Sequence, residues 1–134
     1  MPVIDASVYI TLMNEHEDAH TSSWAWFEQA QTTQEPVVAP AILLPEVAAA
    51  LSRGIGDSAL AHRVVQQLRH SEVIELIPVT LTIAGQAATI AANYRIRGCD
   101  AVYIALADHR GDSLITLDRQ QLGRGAAIVA VREP

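Results

Sequence analysis

Short apolar runs alternate with helix-period segments along the whole chain. Val3–Asp5 is apolar and predicts a short buried strand. Ala6–Asn14 follows as a short helix. Asp18–Ala30 places Ala19, Trp24, Phe27 and Ala30 on one face, a helical pattern. Pro36–Pro40 reads as a strand held between prolines. Ala41–Arg53 predicts a helix stopped by Gly54 and Gly56, with Pro45 near its first turn, where a missing N–H is tolerated. Asp57–Ser71 predicts a helix with Asp57 as its N-cap. Ile74–Val79 predicts an edge strand, because Glu75 and Pro78 interrupt it. Leu81–Arg97 predicts a helix with Gly98 as its C′ glycine. Cys99–Arg110 predicts another helix, Leu114–Leu117 a strand, Gln120–Leu122 one helical turn, and Ala127–Val131 the last strand.

Strands separated by helical crossovers imply a mostly parallel sheet covered on both faces. The expected architecture is α/β, a three-layer α/β/α sandwich around that sheet. The 134 residues suit one domain, 1–134, and no linker or repeat divides them. Half of the residues are apolar, which argues against disorder.

Four acidic residues fall where a folded chain avoids charge. Asp5 ends the run Val3-Ile4. Glu46 lies inside Ala41–Leu51. Asp100 opens Ala101–Ala107, and Asp118 closes Leu114–Leu117. An unpaired buried carboxylate is costly, so such groups are capped, paired or metal-bound. Caps account for Asp5, Asp100 and Asp118 one at a time. Glu46, on a helix side amid Leu, Val and Ala, has no such role, and surface exposure is its plain alternative. In open α/β sheets the site lies at the carboxyl ends of the strands, and all four acids can face that edge. Carboxylates brought together repel unless a cation sits among them. An all-oxygen set with few protein ligands suits Mg2+ or Mn2+.

Charge changes this picture only slightly. The net charge is −6, which counts against broad electrostatic binding of nucleic acid. Yet the four acids supply four of those charges, and every basic residue is Arg, the side chain shaped for bidentate contact with phosphate. No signal segment is expected, since Asp5 comes too early for an apolar h-region, and no run is long enough to span a membrane. The lone Cys99 excludes an internal disulfide framework and reads as a small buried side chain; a cytoplasmic protein is expected.

The segments Val3-Ile4-Asp5-Ala6-Ser7, Leu44-Pro45-Glu46-Val47, Arg97–Ala107 and Leu114-Ile115-Thr116-Leu117-Asp118 resemble, in order and spacing, the PIN-domain family of metal-dependent ribonucleases. The VapC-type toxins of bacterial toxin–antitoxin pairs are the most similar members. The resemblance implies a Mg2+- or Mn2+-dependent endoribonuclease, a homodimer, and a small antitoxin whose tail covers the active site. It also implies that Asp5, Glu46, Asp100 and Asp118 hold one or two metal ions. Ser7 and Thr116, beside ligand positions, are candidates to orient those ligands. Arg97 and Arg119 are candidates for phosphate contact, against the plainer reading of solvated arginines, which also covers Arg95.

Two competing readings remain at this level. His16-Glu17-Asp18-Ala19-His20 matches the zinc-protease pattern H-E-x-x-H, but falls where a loop enters a helix. A catalytically silent PIN-like scaffold, acting through its partner in transcriptional autoregulation, is the non-enzyme alternative. His62, His70 and His109 are scattered, and Trp24, Trp26 and Phe27 read as helix packing against the core or a second copy.

Overall fold

Five two- to four-residue strands, all parallel, form the centre of the molecule in the computed structural model, which describes all 134 residues. They are β1 (Val3–Ile4), β2 (Val37–Pro40), β3 (Ile74–Ile77), β4 (Leu114–Ile115) and β5 (Val131–Arg132), in the order β3-β2-β1-β4-β5. The helices are α1 (Ala6–Met13), α2 (His20–Thr32), α3 (Leu43–Ala49), α4 (Ser58–Arg69), α5 (Leu81–Tyr94), α6 (Gly98–Arg110) and α7 (Arg119–Arg124). The chain steps outward from β1 to β2 to β3, then returns to the other side of β1 for β4 and β5. Right-handed crossovers in opposite directions put helices on opposite faces, giving the expected three-layer α/β/α sandwich.

That strand order has one reversal, between β1 and β4. Their register pairs Val3 with Leu114 and Ile4 with Ile115. Asp5 and Thr116 are therefore the next residues out of the sheet on each side of the reversal. A crevice forms at this place because the connections leaving the two strands diverge.

The core explains why these segments hold. Val3, Ile4, Val38, Ala39, Leu114 and Ile115 are fully buried, as central parallel strands require. Helix α6 carries Ala101, Tyr103, Ile104, Ala105, Leu106 and Ala107 inside, and lies against α5, β1, β2 and β4. The small residues at 101, 105 and 107 permit that close approach. Gly125 belongs to the same packing, since a Cβ there would come within 3.2 Å of Ile104 Cδ1.

Several boundaries differ from expectation. The Asp18–Ala30 helix starts at His20, after the turn that holds Glu17 and Asp18. The helix expected over Ala41–Arg53 begins at Leu43 and passes into a π-helical turn, Ala50–Ile55, ended by Gly56 at φ +77°. Gly98 is not a C′ glycine. Helix α5 stops at Tyr94 because Arg95 turns left-handed at φ 54°, and the Arg124 guanidinium donates to the Arg95 carbonyl at 2.5 Å. Gly98 instead opens α6. The expected strand Ala127–Val131 starts late, because Gly125–Ala127 forms a 3-10 turn. Cys99 is exposed, since it sits in the first turn of α6 on the side away from the core. The edge position of β3 agrees with its interrupted pattern.

The central position of Ile104, at 0% exposure, generates a direct test of this packing. Ile104→Ala is expected to lower the unfolding free energy by roughly 2–5 kcal/mol and Ile104→Val by about 1 kcal/mol, measured by urea denaturation.

Candidate functional site

Asp5 is the first residue beyond β1 and the N-cap of α1, which fixes its carboxylate at the sheet edge. Its Oδ1 accepts from Ser7 Oγ at 2.5 Å and from the Val8 backbone N at 3.3 Å. Its Oδ2 accepts from Thr116 Oγ1 and from Gln121 Nε2, the latter at 2.8 Å. The residue is only 3% exposed. The hydroxyl partners do two jobs each. Ser7 Oγ accepts from the Leu117 backbone N at 3.0 Å, and Thr116 Oγ1 accepts from the Asp118 backbone N at 3.0 Å. The end of β1 and the end of β4 are thus laced together through one carboxylate.

Burial lifts the Asp5 pKa to about 6. The hydrogen bonds from Ser7, Thr116 and Val8 pull the other way without prevailing, and the charge of Asp118 adds to the rise. Asp100 lies in the first turn of α6, where Arg97 and not Asp100 is the N-cap. Its Oδ1 is 3.5 Å from the same Gln121 Nε2 that holds Asp5. Its Oδ2 is 3.7 Å from Arg97 Nε. Burial raises its pKa, Arg97 lowers it, and the charges of Asp118 and Glu46 raise it again.

Glu46 sits half-buried in the first turn of α3, and Tyr103 donates its phenolic O–H to Glu46 Oε1 at 2.5 Å. The Tyr103 ring is fully buried. Burial first, then the hydrogen bond and charge of Glu46, push its ionisation far above the ordinary tyrosine range, and Asp5 and Asp100 add to the effect. Asp118 caps α7, with Oδ1 accepting from Gln120 N at 2.8 Å and Gln121 N at 3.1 Å.

All four acids therefore stand in one electrostatic neighbourhood, and Asp5 and Asp100 share a donor atom. No three His, Cys, Asp or Glu side chains close into a ready-made cage. The donor set is hard oxygen throughout. That suits Mg2+, which takes one or two carboxylates and fills its other positions with water and substrate phosphate. A groove of about 910 Å3 opens beside Glu46, lined by Ala6, Ile42, Pro45, Arg53 and Arg97 among others. Arg97 is largely exposed over it, and Arg119 is exposed at the start of α7.

Tyr103 and Gln121 have no place among the site residues read from sequence, although each holds one or more of the acids. A signal exists for both. Tyr103 follows Asp100 by three residues and Gln121 follows Asp118 by three, the spacing that puts two side chains on one helical face. The zinc-protease pattern finds no support in the geometry. His16 lies in the turn before α2, His20 is the first residue of α2, and His20 Nδ1 lies 2.8 Å from the Thr11 carbonyl.

The PIN domain family model matches residues 3–126. Among solved structures, Mycobacterium tuberculosis VapC20, described as a sarcin–ricin loop cleaving toxin, superposes with a TM-score of 0.78 at 20% identity, covering 100% of both chains. VapBC2 from Rickettsia felis, bound to a DNA fragment from its promoter, gives 0.75 at 12% identity, covering 99% of this chain and 98% of that one. FitAcB from Neisseria gonorrhoeae gives 0.73 at 19% identity, covering 100% and 98%. At these identities the likeness concerns the fold. No curated protein matches.

The Asp5 environment predicts a pH dependence of stability. Its folded pKa lies above its unfolded value, so the folded chain prefers the protonated form. The stability this group contributes is present below about pH 4 and is lost as pH rises through about 6. Urea unfolding in chelator across pH 4–8 is expected to show this decline, with a difference of up to roughly 3 kcal/mol between wild type and Asp5→Asn developing toward neutral pH.

Proposed function

The chain belongs to the PIN-domain family, and on that footing we propose that it is a Mg2+- or Mn2+-dependent endoribonuclease serving as the toxin of a toxin–antitoxin pair. The observation that carries this reading is the Asp5–Asp100 pair. One carboxylate is buried with its pKa raised, the other is held by the same amide nitrogen, and both lie at the strand-order reversal. Burial and the neighbouring acids disfavour the ionised form of both carboxylates, and a divalent cation among them would favour it.

Each residue has a role under this proposal. Asp5 and Asp100 would hold the ion, with Glu46 and Asp118 completing the acidic rim. A bound divalent ion lowers the pKa of its water and stabilises charge on the phosphoryl oxygens. Ser7 and Thr116 fix the orientation of the Asp5 carboxylate, and Tyr103 fixes that of Glu46. Arg97, exposed beside Asp100 and over the groove, contacts phosphates next to the cut, and Arg119 extends that contact. RNA is the substrate, a small antitoxin is the partner, and the working form is a cytoplasmic homodimer. The coarse support for these partners is the assembly of related folds. FitAcB and the VapBC complexes adopt this fold, and VapBC2 is bound to promoter DNA. No helix is long and apolar enough to cross a membrane.

Purified, partner-free protein incubated with total RNA and Mg2+ is expected to leave 5′-phosphate and 3′-hydroxyl ends, read by end-specific sequencing. Cyclic 2′,3′-phosphate ends would contradict metal-activated water as nucleophile. Asp5→Asn and Asp100→Asn are expected to reduce cleavage to the level found with chelator while the circular dichroism spectrum stays unchanged. Tyr103→Phe, which frees Glu46 without changing charge, is expected to lose roughly tenfold in rate at limiting Mg2+. A wild-type protein that binds Mg2+ poorly and cuts nothing, yet assembles with its partner on DNA, would favour the scaffold reading.

A further inference from the structure

Gln121 is 2% exposed, an uncommon position for a glutamine. Its backbone N–H is tied to Asp118, so its Cα is fixed at the start of α7. Its Nε2 faces Asp5 Oδ2 at 2.8 Å and Asp100 Oδ1 at 3.5 Å. Its Oε1 is buried and has no hydrogen-bond donor at all. Ionised carboxylates only accept, so the amide nitrogen is the end that must face them. The other end is left with an uncompensated oxygen, and a leucine of similar size would fill the same space without that cost.

We propose that Gln121 is part of the cation site. Its side-chain amide presents Nε2 to Asp5 and Asp100 in the structure, and turns Oε1 toward a divalent ion, or a water on that ion, bound between those carboxylates. The two ends of the amide are nearly the same size, so the turn about the last side-chain bond needs no repacking. With a doubly charged ion beside Asp5 and Asp100, an N–H facing it is repelled and a carbonyl oxygen is attracted. Oε1 has no donor to give up; the turn breaks the two Nε2 contacts and carries the N–H pair into the space Oε1 leaves, a cost that the contact between the ion and Oε1 offsets. The side chain thus offsets the repulsion of the pair when no ion is there and adds a hard oxygen when one is.

This inference rests on the reading of Asp5 and Asp100 as a cation site, and the test separates the two. Full-length 15N-labelled protein is titrated with Mg2+, with the Gln121 side-chain amide signals identified by their loss in Gln121→Glu. Mn2+ affinity is measured by calorimetry for wild type, Gln121→Leu and Gln121→Glu. The Gln121 amide signals are expected to move to new positions at saturation, Gln121→Leu to bind Mn2+ roughly tenfold more weakly, and Gln121→Glu to bind at least as tightly as wild type. Unmoved Gln121 signals in a wild-type protein that does bind Mg2+ overturn the role of Gln121 alone. So does a Gln121→Leu variant that binds Mn2+ as tightly as wild type. Failure of wild type to bind either ion overturns the cation site itself. The labelled wild-type titration decides the matter even where Gln121→Leu does not fold.

Discussion

One carboxylate at the end of the central strand organises this molecule's functional edge. Asp5 accepts hydrogen bonds from residues of α1, from Thr116 after β4 and from Gln121 in α7. Those partners come from both ends of the chain, more than a hundred residues apart in sequence. The carboxylate is therefore a structural joint between β1 and β4 as well as a chemical group. Removing it from water raises its pKa, and four donors do not fully offset that cost. A carboxylate held this way stays under electrostatic tension.

The topology explains why the joint is where it is. Parallel strands need crossovers, and crossovers in two directions leave a crevice at the reversal between β1 and β4. Asp5 and Thr116 follow these strands in register. Asp100 reaches the same crevice from the N-terminus of α6, where the helix dipole favours a negative charge. Glu46 reaches it from α3, steadied by the buried tyrosine of α6. Four acids supplied by four separate elements converge because the fold directs those elements to one edge.

The sequence made most of this legible, and the exceptions have physical causes. The alternation of strand and helix, the edge character of Ile74–Ile77 and the four acids could be read because apolar periodicity and acids set against apolar flanks are local signals, although only Asp5 of the four is buried. Gly98 misled, because a glycine after a helical stretch can begin the next helix as readily as end the last one. The carbonyl of the left-handed Arg95 that ends α5 accepts from Arg124, which is distant in sequence. Cys99 was expected inside and lies outside, since one residue at a helix start can face either way. Tyr103 and Gln121 escaped notice because a tyrosine and a glutamine in helical segments look like core filler and surface. Only the third dimension shows that one clamps Glu46 and the other joins Asp5 to Asp100.

The measurement that bears most directly on this account is anomalous scattering from a crystal of the protein soaked in Mn2+. A peak is expected between Asp5 and Asp100, with metal–oxygen distances of about 2.1 Å to at least one carboxylate oxygen. A peak elsewhere on the surface, or none at that edge at saturating Mn2+, contradicts it.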